Sequence, residues 1–186
     1  MLSDYGFNAT SLELLIPKAV AVMDALGVEL SSINFVPISQ ESNQYIGASF
    51  SDSVARAFPE CNEDIDEAYK CLVANRFTAS MFHVGRVMEL AVKKYAIKIC
   101  AASPVKDFWQ DWLDSIQAVH EAMPYKTQAE RDARRPYCEA HAYFFSFKEA
   151  WRNQAAHPKQ TYTRDEALAV MANAKSFLQS VAKSFF

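Results

Sequence analysis

The stretch FTASMFHVGRVMELAVKKYAIKI, Phe77 to Ile99, decides the fold class. Phe77, Met81, Val84, Met88, Ala91, Tyr95 and Ile99 recur at steps of three and four, the period at which side chains return to one face of an α-helix. Phe82, Leu90 and Ile97 put apolar groups on its other sides, so this helix is expected to be central and contacted from several directions. Glu89 and Lys93, four apart with the acid first, form a supportive pair along it.

The same period governs the flanks. Upstream, Asp64, Asp66 and Glu67 load the first turn of a helix running to about Ala74, where acids suit the positive end of the helix dipole. Downstream, Ser103-Pro104 reads as cap and first turn of a new helix, with Val105, Phe108, Trp109, Trp112, Leu113, Ile116 and Val119 on its buried side. Thr127 and Glu130 have capping-box spacing and open the next element. Pro136 kinks or restarts that element, and Tyr137, Ala140, Phe144, Phe147 and Trp151 give it a core stripe. Pro158 disfavours helical geometry at His157, so the helix is expected to end there. A second box, Thr163 with Glu166, opens the last helix, striped by Ala167, Val170, Met171, Ala174, Phe177, Leu178 and Val181.

Near the start, Ser11 to Leu26 form an amphipathic helix closed by Gly27, with Pro17 as a kink or a true beginning. Val28 to Phe58 read as an irregular connection with a short extended piece at Ile33 to Ile38. The expected architecture is all-α: a bundle of about five helices over residues 58–186, preceded by a helix and connecting segment over 1–57.

Composition agrees. Only 4 Gly and 7 Pro in 186 residues argue against a many-stranded fold, while 13 Phe, 8 Tyr and 3 Trp supply core volume. With 22 acidic and 19 basic residues the net charge is -3, so a global basic field for nucleic acid is absent and any such contact must use a local patch. Cys61, Cys71, Cys100 and Cys138 show no zinc-ligand spacing and read as reduced structural thiols. No leader and no membrane-length apolar run is evident, so the expected location is the cytoplasm, away from membranes. Asp107, Asp111 and Asp114 read as a solvated acidic face, and His120 and His141 as isolated. No nucleotide, zinc-protease or serine-hydrolase motif is present, and neither a cofactor nor a metal is expected.

The chemistry-bearing candidate is Arg152, Asn153 and His157. On a continuous helix Asn153 and His157 share a face, and a histidine in the last turn is favoured in its protonated form by the dipole. Arginine grips phosphate oxygens bidentately and histidine exchanges protons near neutrality, so the trio suits a phosphodiester. Capping of helix-end carbonyls is the competing explanation. Arg76–His83 and Arg135–His141 show that the spacing alone recurs in this chain. A second constellation, His83, Arg86 and Glu89, lies along one side of the central helix, either as an ion pair holding helices in register or as part of a cleft. Lys93, Lys94 and Lys98 extend from it as a solvated or backbone-contacting strip.

Arg152-Asn-Gln-Ala-Ala-His157 resembles the R-x4-6-H motif of the HEPN superfamily, in which a polar residue often follows the arginine. Phe58-Pro59, Asp64 to Ala68, Lys70 to Leu72 and Phe82 to Glu89 resemble an uncharacterised bacterial HEPN-like group. The resemblance implies a HEPN-like bundle acting as a homodimer that brings two motifs into one cleft. It implies metal-independent RNA cleavage, with Arg152 on the phosphate, His157 in acid–base chemistry and Asn153 orienting; Arg86, Glu89, His83 and Lys93, read from their spacing and not from the likeness, are the candidates to support the motif or line an RNA cleft. A toxin, stress or phage-defence setting, with a neutralising antitoxin or system partner, follows from the same likeness. The superfamily also contains non-catalytic members, so a helical dimeric interaction or nucleotide-binding module is the alternative.

Overall fold

A computed structural model describes residues 9–34, 37–152 and 161–186. All regular structure among the described residues is helical. The chain divides into two compact units, Met1–Pro37 and Ile38–Phe186.

The first unit is helix α1, Ala9–Ser31. It runs through both Pro17 and Gly27, so neither ends it. Its close is set by serines: the Ser31 and Ser32 hydroxyls donate to the Val28 and Glu29 carbonyls, each at 2.7 Å, satisfying acceptors that a helix end leaves open. Leu14, Ile16, Val20, Met23 and Leu26 are all exposed.

The second unit begins with a 3-10 turn, Gln40–Tyr45, and helix α2, Asp52–Ala57. The expected extended piece at Ile33 to Ile38 forms no strand at its described positions, and residues 40–57 are more ordered than their polar composition suggested. Ser51 caps α2 by accepting from the Val54 amide, and Phe50, Val54 and Phe58 are wholly buried. Burial of three large groups outweighs the weak local pattern, and it places residues 38–57 with the bundle.

Four longer helices follow: α3 (Asn62–Val73), α4 (Phe77–Lys98), α5 (Trp109–Ala122) and α6 (Gln128–Phe147). A π-helical turn, Lys148–Arg152, continues α6, and α7 spans Arg164–Phe185. Helix α4 is the hub, packing against α3, α5 and α7. Met81, Val84, Met88, Ala91 and Tyr95 of its expected stripe are buried. Phe82 and Ile97, by contrast, are exposed, so α4 is covered on fewer sides than expected.

Asn75 at φ 57° and Cys100 at φ 59° end α3 and α4 in the left-handed region. Each follows the Schellman pattern: the Arg76 amide reaches the Cys71 carbonyl, and the Ala101 amide reaches the Ala96 carbonyl. A chain this poor in glycine uses other residues where glycine is usual.

Helix α5 starts at Trp109, later than Ser103-Pro104 indicated. Val105 and Phe108 are exposed, while Trp109 and Trp112 are the first buried side chains. Asp107 accepts from Trp112 Nε1 (2.6 Å) and Lys93 Nζ (2.8 Å), which ties the segment down as a loop before the helix begins. Both capping boxes form with reciprocal hydrogen bonds. Pro136 lies within an uninterrupted α6. All four cysteines are free; Cys61 is buried and its thiol is pushed up to about 12, chiefly by burial, whereas Cys100 is exposed. No helix among the described residues is long and apolar enough to cross a membrane.

Candidate functional site

Arg152 is the last residue of the π-turn that takes over from α6 at Lys148. Widened turns of this kind occur frequently at functional sites because they redirect the side chains that follow. The turn packs against α4. Asn153 and His157 lie outside the described residues, as does the expected helix end before Pro158.

The residues flanking the motif are held together. The Tyr162 hydroxyl donates to the Trp151 carbonyl at 3.4 Å, and the two rings sit 6.5 Å apart. The Tyr162 amide donates to Thr78 Oγ1 at 3.1 Å, anchoring the return of the chain to the start of α4. Tyr162 is buried, and the Thr163 capping box follows it directly. Neither Thr78 nor Tyr162 was singled out from sequence, because neither belongs to a periodic stripe.

Helix α4 carries the supporting candidates. Arg86 Nε donates to both carboxylate oxygens of Asp64, at 2.8 and 3.0 Å, and His83 Nδ1 lies 2.8 Å from Asp64 Oδ1. Asp64 is buried, so the pair links α3 to α4 as an ion-pair register pin. Burial pushes the Asp64 carboxyl up, but hydrogen bonds from Arg86 and then His83 outweigh it and leave it below the usual value. Sequence reading placed Asp64 in the dipole-favouring first turn of α3 and missed this contact; no local pattern reports a pairing across 22 residues.

Arg86, Glu89 and Lys93, with Leu90, line one surface cleft of about 210 Å³. Their spacing of three, four and seven places them on one face of α4. The basic strip is largely neutralised: Lys93 pairs with Asp107 at 2.8 Å, Lys94 with Glu60 at 2.8 Å, and Lys98 sits 5.1 Å above the Phe186 ring.

His120 and His141, read separately in the sequence, meet between α5 and α6, with Nε2 and Nδ1 3.3 Å apart. Cys138 Sγ lies 3.7 Å from His120 Nδ1, and Arg134 Nε donates to the His120 carbonyl at 2.6 Å. Both imidazoles are pushed below the usual histidine value, first by burial and then by Arg134 for His120 and by His120 for His141. Among the described residues no three His, Cys, Asp or Glu side chains converge as metal ligands.

The chain matches no protein-family model, no curated protein and no solved structure.

Proposed function

We propose that this chain is a HEPN-like RNA-binding protein and a metal-independent endoribonuclease, acting as a homodimer in the cytoplasm in a toxin or phage-defence setting with a neutralising partner. The observation that carries the reading is the position of Arg152. It ends a π-turn packed on α4, beside flanks that Tyr162 draws together, within a stretch resembling the R-x4-6-H motif. In the proposed reaction Arg152 holds the phosphate oxygens and Asn153 orients. One His157 takes the proton of a ribose 2′-hydroxyl as that oxygen attacks phosphorus. The His157 of the second copy protonates the departing 5′ oxygen as its bond to phosphorus breaks.

The second reading, a non-catalytic interaction or nucleotide-binding module, draws on the pairing of Lys93 and Lys94 with acids, which leaves α4 without a strongly basic face. Incubating purified protein with total RNA separates the two. The nuclease reading expects cleavage that survives EDTA and disappears in Arg152→Ala and in His157→Ala while helicity is retained. Cleavage unchanged in His157→Ala, or lost in EDTA, overturns the mechanism.

A further inference from the structure

Helix α1 carries an inference that rests on the homodimer reading above and names a contact that holds the copies together. We infer that α1 pairs antiparallel with α1 of a second copy, along a seam of Ile16, Ala19, Met23, Leu26 and Leu30.

The seam is written in the spacing. Steps of three and four alternate from Ile16 to Leu30, the heptad period that keeps one stripe turned toward a partner helix. Leu15, Val20 and Val22 widen the stripe on its two flanks. All of these side chains are exposed, the large ones by 46% to 71%. At those exposures they offer on the order of 700 Å² of apolar surface per copy, near the about 800 Å² per partner of a standard stable interface. A continuous apolar face of that size marks a contact surface.

Charge selects the occupant. Lys18 and Asp24 lie off the seam, and with Glu13 and Glu29 they give α1 three acids and one base. A helix that lies on a lipid surface or tracks a phosphate backbone needs cations on its polar arc, and α1 carries the opposite excess. The seam itself holds no charge, so it asks for no complementary charge from a foreign chain. A second copy supplies the matching stripe.

Side-chain size sets the direction. Parallel pairing in register would set Ala19 against Ala19 and Met23 against Met23, a gap beside a bulge. Antiparallel pairing centred on Ala21 sets Ile16 against Leu26 and Ala19 against Met23 of the second copy, so successive layers hold similar volumes. The same register brings Val20 to Val20 and Val22 to Val22 at the centre. Glu13 and Glu29 then fall toward the ends, opposite Gly27 and Leu15, and no two acids meet. Opposed helix dipoles add to the attraction. Pro17 lies on the far arc, where its missing N–H does not disturb the contact.

The test is sedimentation equilibrium of the full-length protein, with cross-linking of introduced cysteines by a short bis-maleimide in a Cys100→Ser background. The parent is expected to be a dimer. Met23→Asp with Leu26→Asp should weaken dimerisation about a hundredfold, because unpaired carboxylates would be buried in the seam. The near-UV circular dichroism of the aromatic bundle should stay unchanged, since Ala9–Ser31 contains no aromatic residue. Val20→Cys should cross-link to its own copy, whereas Leu30→Cys should not, because antiparallel pairing holds the two Leu30 positions far apart. A dimer that survives the double substitution, or any cross-linking pattern other than Val20 alone, overturns this inference and leaves the homodimer reading in place. Loss of the near-UV signal in the double variant would show α1 covered by its own chain, which also overturns it. A monomeric parent overturns both.

Discussion

At the α3–α4 contact, buried Asp64 accepts from Arg86 and His83; at the α5–α6 contact, His120 and His141 face each other 3.3 Å apart. Both are polar links between neighbouring helices inside one bundle, and they differ in the charge state that suits them. The Asp64 link is strongest when the carboxylate is ionised, because the hydrogen bonds around it stabilise the charged form. The histidine pair is most stable with both rings neutral, because burial and Arg134 disfavour a second positive charge there. Asp114 and Glu121 oppose that effect at His141, and Glu121 at His120, without reversing it. Two contacts of similar position thus respond to acid over different ranges.

The largest expected effect comes from deleting the ionised link. Asp64→Ala should lower the unfolding free energy by about 2 kcal/mol, since charge-assisted hydrogen bonds are lost while the largely exposed Arg86 regains water. Urea unfolding measures it. A loss no greater than that of removing an exposed acid such as Glu63 would show that the link pins nothing.

A second experiment separates the two contacts by pH. For each histidine the folded-state pKa is depressed, so the contribution to stability is complete above the unfolded value of about 6.5 and declines as pH falls toward the folded value. For Asp64 the folded-state pKa is also depressed, and its contribution persists down to about pH 4 before it is lost. Lowering the pH from 7 to 5 should therefore loosen amide protection in α5 and α6 before α3 and α4. His120→Gln with His141→Gln should flatten the stability change across that interval. An unchanged profile in the double variant would break the comparison.

The smallest effect tests the connections. The α3–α4 turn places Asn75 at φ 57°, whereas α5 ends at Met123 in extended geometry with Pro124 next. Asn75→Gly should stabilise the protein by about 0.5 kcal/mol, because glycine adopts the left-handed conformation without the Cβ clash. A thermal melt checks the sign.

The core stripes of α4, α6 and α7 were legible because burial on one side of a helix writes its period directly into the chain, as Met81, Val84 and Met88 do. Both capping boxes were legible for a similar reason, since Thr127–Glu130 and Thr163–Glu166 act within three residues. The close of α1 was not, since Gly27 lies inside it, whereas α3 and α4 end at Val73 and Lys98, within a residue of the expected Ala74 and Ile99. The start of α5 was misplaced because the Asp107 contacts to Lys93 and Trp112 compete with the local Ser-Pro signal. Within the candidate site, Arg86, Glu89 and Lys93 could be grouped from helical spacing, but Asp64, Thr78 and Tyr162 could not.

By itself the sequence determined that the described residues are helical and which faces α4, α6 and α7 bury, and it singled out the Arg152–His157 stretch as a candidate for chemistry. These are one-dimensional properties, carried by period and by neighbours within a turn. Only the tertiary structure decided that Asp64 holds Arg86 and His83, that His120 meets His141, and that Tyr162 ties Trp151 to Thr78. Those pairings depend on how whole helices pack, and packing responds to summed burial along each face, which no short stretch of residues encodes.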